Sequence, residues 1–190
     1  MHDDIRRLFD ESLATTAAAR DRTADDVARA AALIVEAYRA GHGVFAFGNG
    51  GSAADAQHIV GELAGRFLLE RRPLKAQALG ANTALVTSLA NDYAFEAAFA
   101  RELEANATAG DVAIGISTSG RSPNIVAALA KARELGLRTI ALTGEGGGNC
   151  AAHADVLLDV PSRHTPRIQE AHAVLYHILC ELVERGVASP

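Results

Sequence analysis

Four short runs of continuous apolar character organise this sequence: Val44–Phe47, Val112–Ile116, Thr139–Leu142 and Val156–Val160, each four or five residues long. Runs this short, without regular polar alternation, suit strands covered on both faces of a sheet. A weaker run of the same kind lies near Ala76–Leu79. Between them stand longer Ala-rich stretches with helical character: Ala53–Leu69, a broken one over Thr83–Asn106, Pro123–Leu135 and Pro166–Arg185. Strand alternating with helix predicts an α/β fold, a doubly wound parallel five-stranded sheet flanked by helices. Ahead of the first strand, the stretch from about Ile5 to Ala40 reads as two helices. Ile5, Leu8, Phe9 and Leu13 recur at helical spacing, and Thr23 opens a Thr-Ala-Asp-Asp segment that reads as an N-cap followed by acid three positions on. The chain therefore reads as one domain over residues 1–190, with 1–40 as a helical N-terminal extension and 41–190 as the ligand-binding core.

A chain of 190 residues buries roughly 70% of its unfolded surface. Aromatic residues are only 5% and Trp is absent, so the core is expected to be built of Ala, Leu, Val and Ile. A net charge of −5 argues against a broad nucleic-acid surface, though not against a local pocket for a small anion. Two cysteines, Cys150 and Cys180, are too few for a disulfide framework and read as buried thiols in a reducing compartment. Met1-His2-Asp3-Asp4 lacks the profile of a secretory signal. No apolar run approaches the ~20 residues that span a bilayer. The expectation is a cytoplasmic protein without membrane or nucleic-acid partners.

Open parallel sheets bind ligands at the carboxyl ends of their strands. The first strand runs into Gly48-Asn49-Gly50-Gly51-Ser52 and then a helix. Glycines there allow a tight turn and close approach of backbone N–H groups, and a helix N-terminus favours an anion. The spacing is neither G-x-G-x-x-G nor a Walker A loop, so nucleotide binding is not indicated. The strand Val112–Ile116 ends in Ser117-Thr118-Ser119-Gly120-Arg121-Ser122-Pro123, with four hydroxyl residues in six positions before a helix. Capping would account for Ser122, and Pro123 suits the first helical position. Ser117, Thr118 and Ser119 together go beyond capping and suit a phosphate cradle.

His58 and Glu62 lie four apart, on one face of the helix after the first strand. Such a pair suits a divalent metal or acid/base work, although surface His–Glu pairs are common by chance. The last helix carries Gln169, Glu170, His172 and His177. Gln169 and His177 are separated by about 80° and about 12 Å of rise, so a single ion between them requires both to lean inward. His172 points elsewhere and reads as structural or interfacial. Asn91-Asp92 reads, by itself, as a turn or helix cap.

Taken together these residues resemble the phosphoheptose isomerases of the sugar-isomerase (SIS) domain superfamily. The likeness is carried by Gly48–His58, Gly61–Phe67, Ala90–Tyr93, Gly115–Ser122 and Arg167–His172, in order and over nearly the whole chain. It implies conversion of sedoheptulose 7-phosphate to D-glycero-D-manno-heptose 7-phosphate, the first step toward the activated heptoses of bacterial surface polysaccharides such as lipopolysaccharide. It implies a homotetramer with active sites at subunit contacts and one zinc ion per subunit. By resemblance Ser52, Ser117, Thr118, Ser119 and Ser122 hold the phosphate, with Gly50 and Gly51 beside it. Asn49, Asn91, Asp92 and Gln169 lie near the sugar, and Glu62 also contacts substrate. His58, Glu62, Gln169 and His177 match the metal positions, and Glu62 and His177 the catalytic acid and base.

Ketose–aldose isomerisation needs a base for the carbon-bound proton, a group for the hydroxyl protons and something to polarise the carbonyl. Glu62 and His177 suit the first two roles and a metal the third, although a carboxylate bound tightly to zinc is a poor base. Glu62, three turns into its helix, is expected to face a ligand held at the strand ends. Two competing readings are a non-catalytic relative that binds the replication initiator and a sugar-phosphate isomerase or lyase of other specificity. The first lacks the Glu and last His that this chain keeps as Glu62 and His177. Two places depart from the family pattern. His164 stands where many members have Asp, and Arg71-Arg72-Pro73-Leu74-Lys75 is unusually basic, which is expected to alter only an exposed turn.

Overall fold

Successive side chains along each apolar run fill two different cores. A computed structural model of the protein describes residues 1–188. Strands β1 (Val44–Gly48), β2 (Ala76–Ala78), β3 (Val112–Ser117), β4 (Arg138–Thr143) and β5 (Val156–Asp159) form one parallel sheet in the order β2-β1-β3-β4-β5. Val44, Ala46, Ile114, Ile140 and Leu158 face one buried layer, and Phe45, Phe47, Ala113 and Ala141 face the other. The five-stranded parallel sheet and its two-sided burial agree with the expectation from the sequence; the order of the strands comes from the structure.

Helices α1 (His2–Arg39), α2 (Gly51–Ala64) and α6 (Thr165–Ala188) cover the first face. Helices α4 (Ala98–Asn106) and α5 (Pro123–Glu134) cover the second, and α3 (Thr83–Asp92) leads into α4 through a 3-10 turn at Phe95–Ala97. None of these helices is long and apolar enough to cross a membrane.

The expected pair of N-terminal helices is a single helix of 38 residues. Thr23 does not cap anything. It is buried in mid-helix, and its hydroxyl donates to the Ala19 carbonyl at 2.7 Å. A Thr bonded back to the preceding turn and a capping Thr share one local sequence pattern. With no Gly or Pro between residues 2 and 39 the helix continues. Val27, Ala30 and Ile34 in its second half join the core against α6 and β5.

The segment after α2 is also not the simple turn expected from its basic residues. The Arg71 side chain is only 6% exposed and pairs with Glu184, 1% exposed, at 3.0 Å. Its guanidinium also donates to the carbonyls of Glu62, Leu63 and Gly65, which closes the carboxyl end of α2 before the expected Leu69. Glu184 accepts the backbone N–H groups of Phe67, Leu68 and Leu69 at 2.7–3.0 Å. Burial alone would raise its pKa, but these three donors and Arg71 hold the carboxyl below its ordinary range.

His172 is fully buried on α6, and its Nε2–H donates to the Thr143 carbonyl at 3.0 Å. That tautomer is neutral, and burial pushes the imidazole pKa down to about 4 from an ordinary 6.5. The unfolded chain therefore binds a proton more readily than the folded one. Stability from this group is complete above pH 6.5 and is lost as pH falls toward 4, by at most roughly 1.4 kcal/mol per pH unit. Urea midpoints measured across this window should fall less steeply for His172→Gln than for the unmodified protein. Equal slopes would show that other groups carry the acid sensitivity.

Candidate active site and metal site

The chain turns left from β1 to β2 and then restarts on the other side of β1 with β3, so the switch point of the sheet lies between β1 and β3. A crevice opens at such a point because consecutive connections leave toward opposite faces. The loops that flank it are Gly48–Ser52 and Ser117–Ser122. Asn49 and Asn124 lock them together with two reciprocal amide hydrogen bonds at 2.9 and 2.8 Å. Asn124 was not singled out from the sequence. An Asn in the first turn of a helix, directly after Pro123, was the available signal.

The hydroxyl loop is shaped from below. Gly120 has φ +63, and a Cβ there would collide with the Gly147 carbonyl. The Thr118 carbonyl accepts from Gly144 N–H at 3.0 Å and the Gly120 carbonyl from Cys150 N–H at 2.9 Å. Ser122 does not spend its side chain on capping α5; its Oγ faces Ser117 Oγ at 3.0 Å. Ser119 is exposed, and its Oγ accepts the Arg121 N–H at 3.2 Å. Ser52 is buried in the first turn of α2. Two helix N-termini and a set of hydroxyls thus converge on the crevice, which suits a dianion held by hydrogen bonds rather than by a Lys.

A second constellation lies further along α2. His58, Glu62 and His177 each offer a ligand atom, all within 4.8 Å of one another. His58 Nε2 lies 3.0 Å from Glu62 Oε1. His177 Nδ1–H donates to the Ala173 carbonyl at 2.6 Å, which leaves Nε2 with its lone pair. Two imidazoles and a carboxylate in this arrangement are a donor set that fits zinc. Tyr176 stacks on His177 at 4.8 Å between ring centroids, and Phe67 lies 6.0 Å away.

The fourth expected ligand, Gln169, stands eight positions before His177 on α6. The Gln169 side chain rests on Gly51, at the start of α2, where a Cβ on the glycine would strike its amide nitrogen. α2 and α6 run side by side in the same direction, with Gly51 beside Gln169 and His58 beside His177. Eleven residues separate Gly51 from Glu62, about 16 Å of rise. Within one chain that length of helix lies between Glu62 and the loop at the strand ends. Asn91 and Asp92, at the end of α3, are exposed and pair with each other at 2.8 Å. His164 is exposed just ahead of α6, its carbonyl accepting from Ile168 N–H at 3.0 Å.

Comparison with known proteins converges on one group. The SIS domain profile matches residues 7–144. The phosphoheptose isomerase of Aquifex aeolicus (strain VF5) is 50% identical over 187 residues, 98% of this chain and 98% of that protein. The phosphoheptose isomerase of Geobacter sp. (strain M21) is 56% identical over 156 residues, 82% of this chain and 81% of that protein. The solved structure of a phosphoheptose isomerase from Neisseria gonorrhoeae superposes with a TM-score of 0.92 at 38% identity, covering 97% of this chain and 98% of that one.

Proposed function

The chain belongs to the phosphoheptose isomerases of the SIS-domain family, and from that premise we propose that it converts sedoheptulose 7-phosphate to D-glycero-D-manno-heptose 7-phosphate through an enediol. The observation that carries the reading is the pairing of two constellations in one chain: a hydroxyl cradle at the start of α5 and a His–Glu–His cluster on α2 and α6. The reaction supplies the first intermediate of nucleotide-activated heptose synthesis, in the cytoplasm. The testing experiment is turnover of sedoheptulose 7-phosphate by the purified protein, with and without chelator and added zinc. No turnover under any of these conditions would reject the reading.

In this proposal Ser52, Ser117, Thr118, Ser119 and Ser122 hold the phosphate, together with the N–H groups of Gly50 and Gly51. Asn49 orients the crevice through Asn124, and Asn91, Asp92 and Gln169 contact the sugar. Glu62 takes the proton from C1 of the ketose and returns it to C2 of the enediol. His177, with its Nε2 lone pair, moves the hydroxyl proton from O1 to O2. Zinc held by His58, Glu62 and His177, with Gln169 as the fourth donor, would polarise the carbonyl. Replacing Ser119 with Ala should raise KM more than it lowers kcat, as for a lost contact made equally in ground and transition states. An unchanged KM would remove Ser119 from the phosphate site.

The separation along α2 bears on assembly. An extended heptose phosphate spans roughly 10 Å, less than the about 16 Å of helix between Gly51 and Glu62. We therefore place the active site between subunits, the phosphate loop and Gln169 of one protomer meeting the His–Glu–His cluster of its neighbour. The surface supports this arrangement. Phe9 and Leu13 on α1 are 67% and 66% exposed, and an apolar groove of about 460 Å³ runs between α1 and α6 past Leu13, Val174, Ile178 and Leu182. A homotetramer with dihedral symmetry is the expected assembly. Light scattering should show four chains per particle, and mixing Ser119→Ala with Glu62→Gln chains should restore part of the activity. A monomer at micromolar concentration would overturn the shared site.

A further inference from the structure

The His–Glu–His cluster has a partner behind it that neither metal binding nor proton transfer, as described above, requires. The Tyr176 hydroxyl lies 3.1 Å from His58 Nδ1, on the side of the ring away from Glu62. Tyr176 is only 4% exposed, and its ring packs edge-on against His58 at 5.2 Å and stacked against His177 at 4.8 Å. Asp55, one turn before His58 on α2, sets its carboxylate beside the same hydroxyl. One carboxylate oxygen of Asp55 is buried and has no hydrogen-bond partner.

The hydroxyl of Tyr176 can donate or accept, and only one direction suits each state of His58. With no cation bound, Nε2 at 3.0 Å from the Glu62 carboxylate must carry the ring proton, so Nδ1 accepts from Tyr176. To offer a lone pair to a cation at Nε2, the ring must carry its proton on Nδ1 instead. That Nδ1–H then needs an acceptor. The Tyr176 oxygen serves once its own hydrogen turns toward Asp55, a rotation about the C–O bond that moves no heavy atom. The ring proton changes nitrogen by exchange with water, with no net uptake or release. A buried carboxylate oxygen without a partner is the place where the turned hydrogen is satisfied.

We infer that Asp55 and Tyr176 are positioning residues, a relay behind His58 that selects the tautomer with which it presents Nε2 to the metal. The inference rests on the reading of His58, Glu62 and His177 as a metal centre. Outer hydrogen bonds of this kind are worth roughly 10–100-fold in metal affinity.

Zinc affinity measured by chelator competition on the full-length assembly tests the relay. Tyr176→Phe keeps the stacked ring and removes only the hydroxyl; Asp55→Ala removes the final acceptor. Each variant is expected to bind zinc roughly 10–100-fold more weakly than the unmodified protein. The double variant should lose little more than either single one, because the two groups act in series. The thermal midpoint of chelator-treated Tyr176→Phe should fall only by what the lost hydrogen bond to His58 Nδ1 accounts for, while its rise on adding zinc should shrink as well. A merely structural Tyr176 would instead lower the midpoint equally with and without zinc and leave the zinc affinity alone, which would overturn the relay. Zinc affinity within about twofold of the unmodified protein in either single variant would overturn it as well, with the metal centre left standing. Failure of the unmodified protein to bind zinc would overturn the metal reading, and the relay with it.

Discussion

Glu62→Gln is expected to lower turnover of sedoheptulose 7-phosphate by a factor on the order of 10²–10⁴. The substitution keeps the volume of the side chain and an oxygen that can still accept from His58 Nε2, now at 3.0 Å. It removes the negative charge and the proton-accepting ability, the two properties that the isomerisation uses. His177→Gln should cause a loss of similar size, since its Nε2 lone pair is oriented by the Nδ1–H bond to Ala173 and an amide cannot take the proton. The double variant should lose less than the product of the two single losses, because the groups act on one proton-transfer sequence. Zinc content has to be measured in every variant, since both residues also stand in the ligand cluster. Full zinc occupancy with lost turnover assigns the loss to proton transfer; lost zinc with lost turnover assigns it to the metal. Near-normal turnover by Glu62→Gln would sink the mechanism.

Breaking the Arg71–Glu184 pair should produce the largest loss of stability among single substitutions near the site. Glu184→Ala leaves a guanidinium that is 6% exposed without its counter-charge, and leaves the N–H groups of Phe67, Leu68 and Leu69 without their acceptor. Removing one partner of a buried pair costs about 3–5 kcal/mol. Part of the cost is local: the loop carries Phe67, whose ring lies 6.0 Å from that of His177. Loosening it should therefore also disturb the cluster on α2 and α6. A combined Arg71→Met and Glu184→Leu variant should recover part of the stability, since two apolar side chains leave no buried charge behind. Denaturant unfolding checks both statements. A shift below about 1 kcal/mol for Glu184→Ala would mean that water reaches Arg71 and that the pair behaves like a surface one.

Both predictions involve residues that the sequence treats unevenly. Glu62 stands four positions after His58 and His177 eight after Gln169, spacings that can be read directly. Arg71 lies in a basic run that looks like an exposed turn. Glu184 lies near the end of an amphipathic helix, where a charged residue ordinarily faces water. Nothing local marks them as a pair, because 113 residues separate them and burial is a property of packing. Asp55 and Tyr176 belong to the same class. Asp55 stands one turn from His58, a spacing that was legible, but its partner is on another helix.

Local patterns were enough to specify the layers and the chemistry available at the strand ends. Continuous apolar runs specify strands buried on both faces, since any residue facing water would have interrupted them. Glycines and hydroxyls between a strand and a helix mark an anion site, since helix N-termini expose unpaired N–H groups wherever they occur. Relations between distant segments emerge from packing. Thr23 reads as a cap until α6 and β5 are found to bury its helix, because a back-bonded Thr and a capping Thr share one local pattern. Gln169 reads from the sequence only as a residue two turns before His177, and the packing sets its side chain against Gly51, at the start of α2. Residue spacing along a helix fixes rise and angle, but which neighbour a side chain meets depends on how two helices are set against each other, and that register is a property of the packed core.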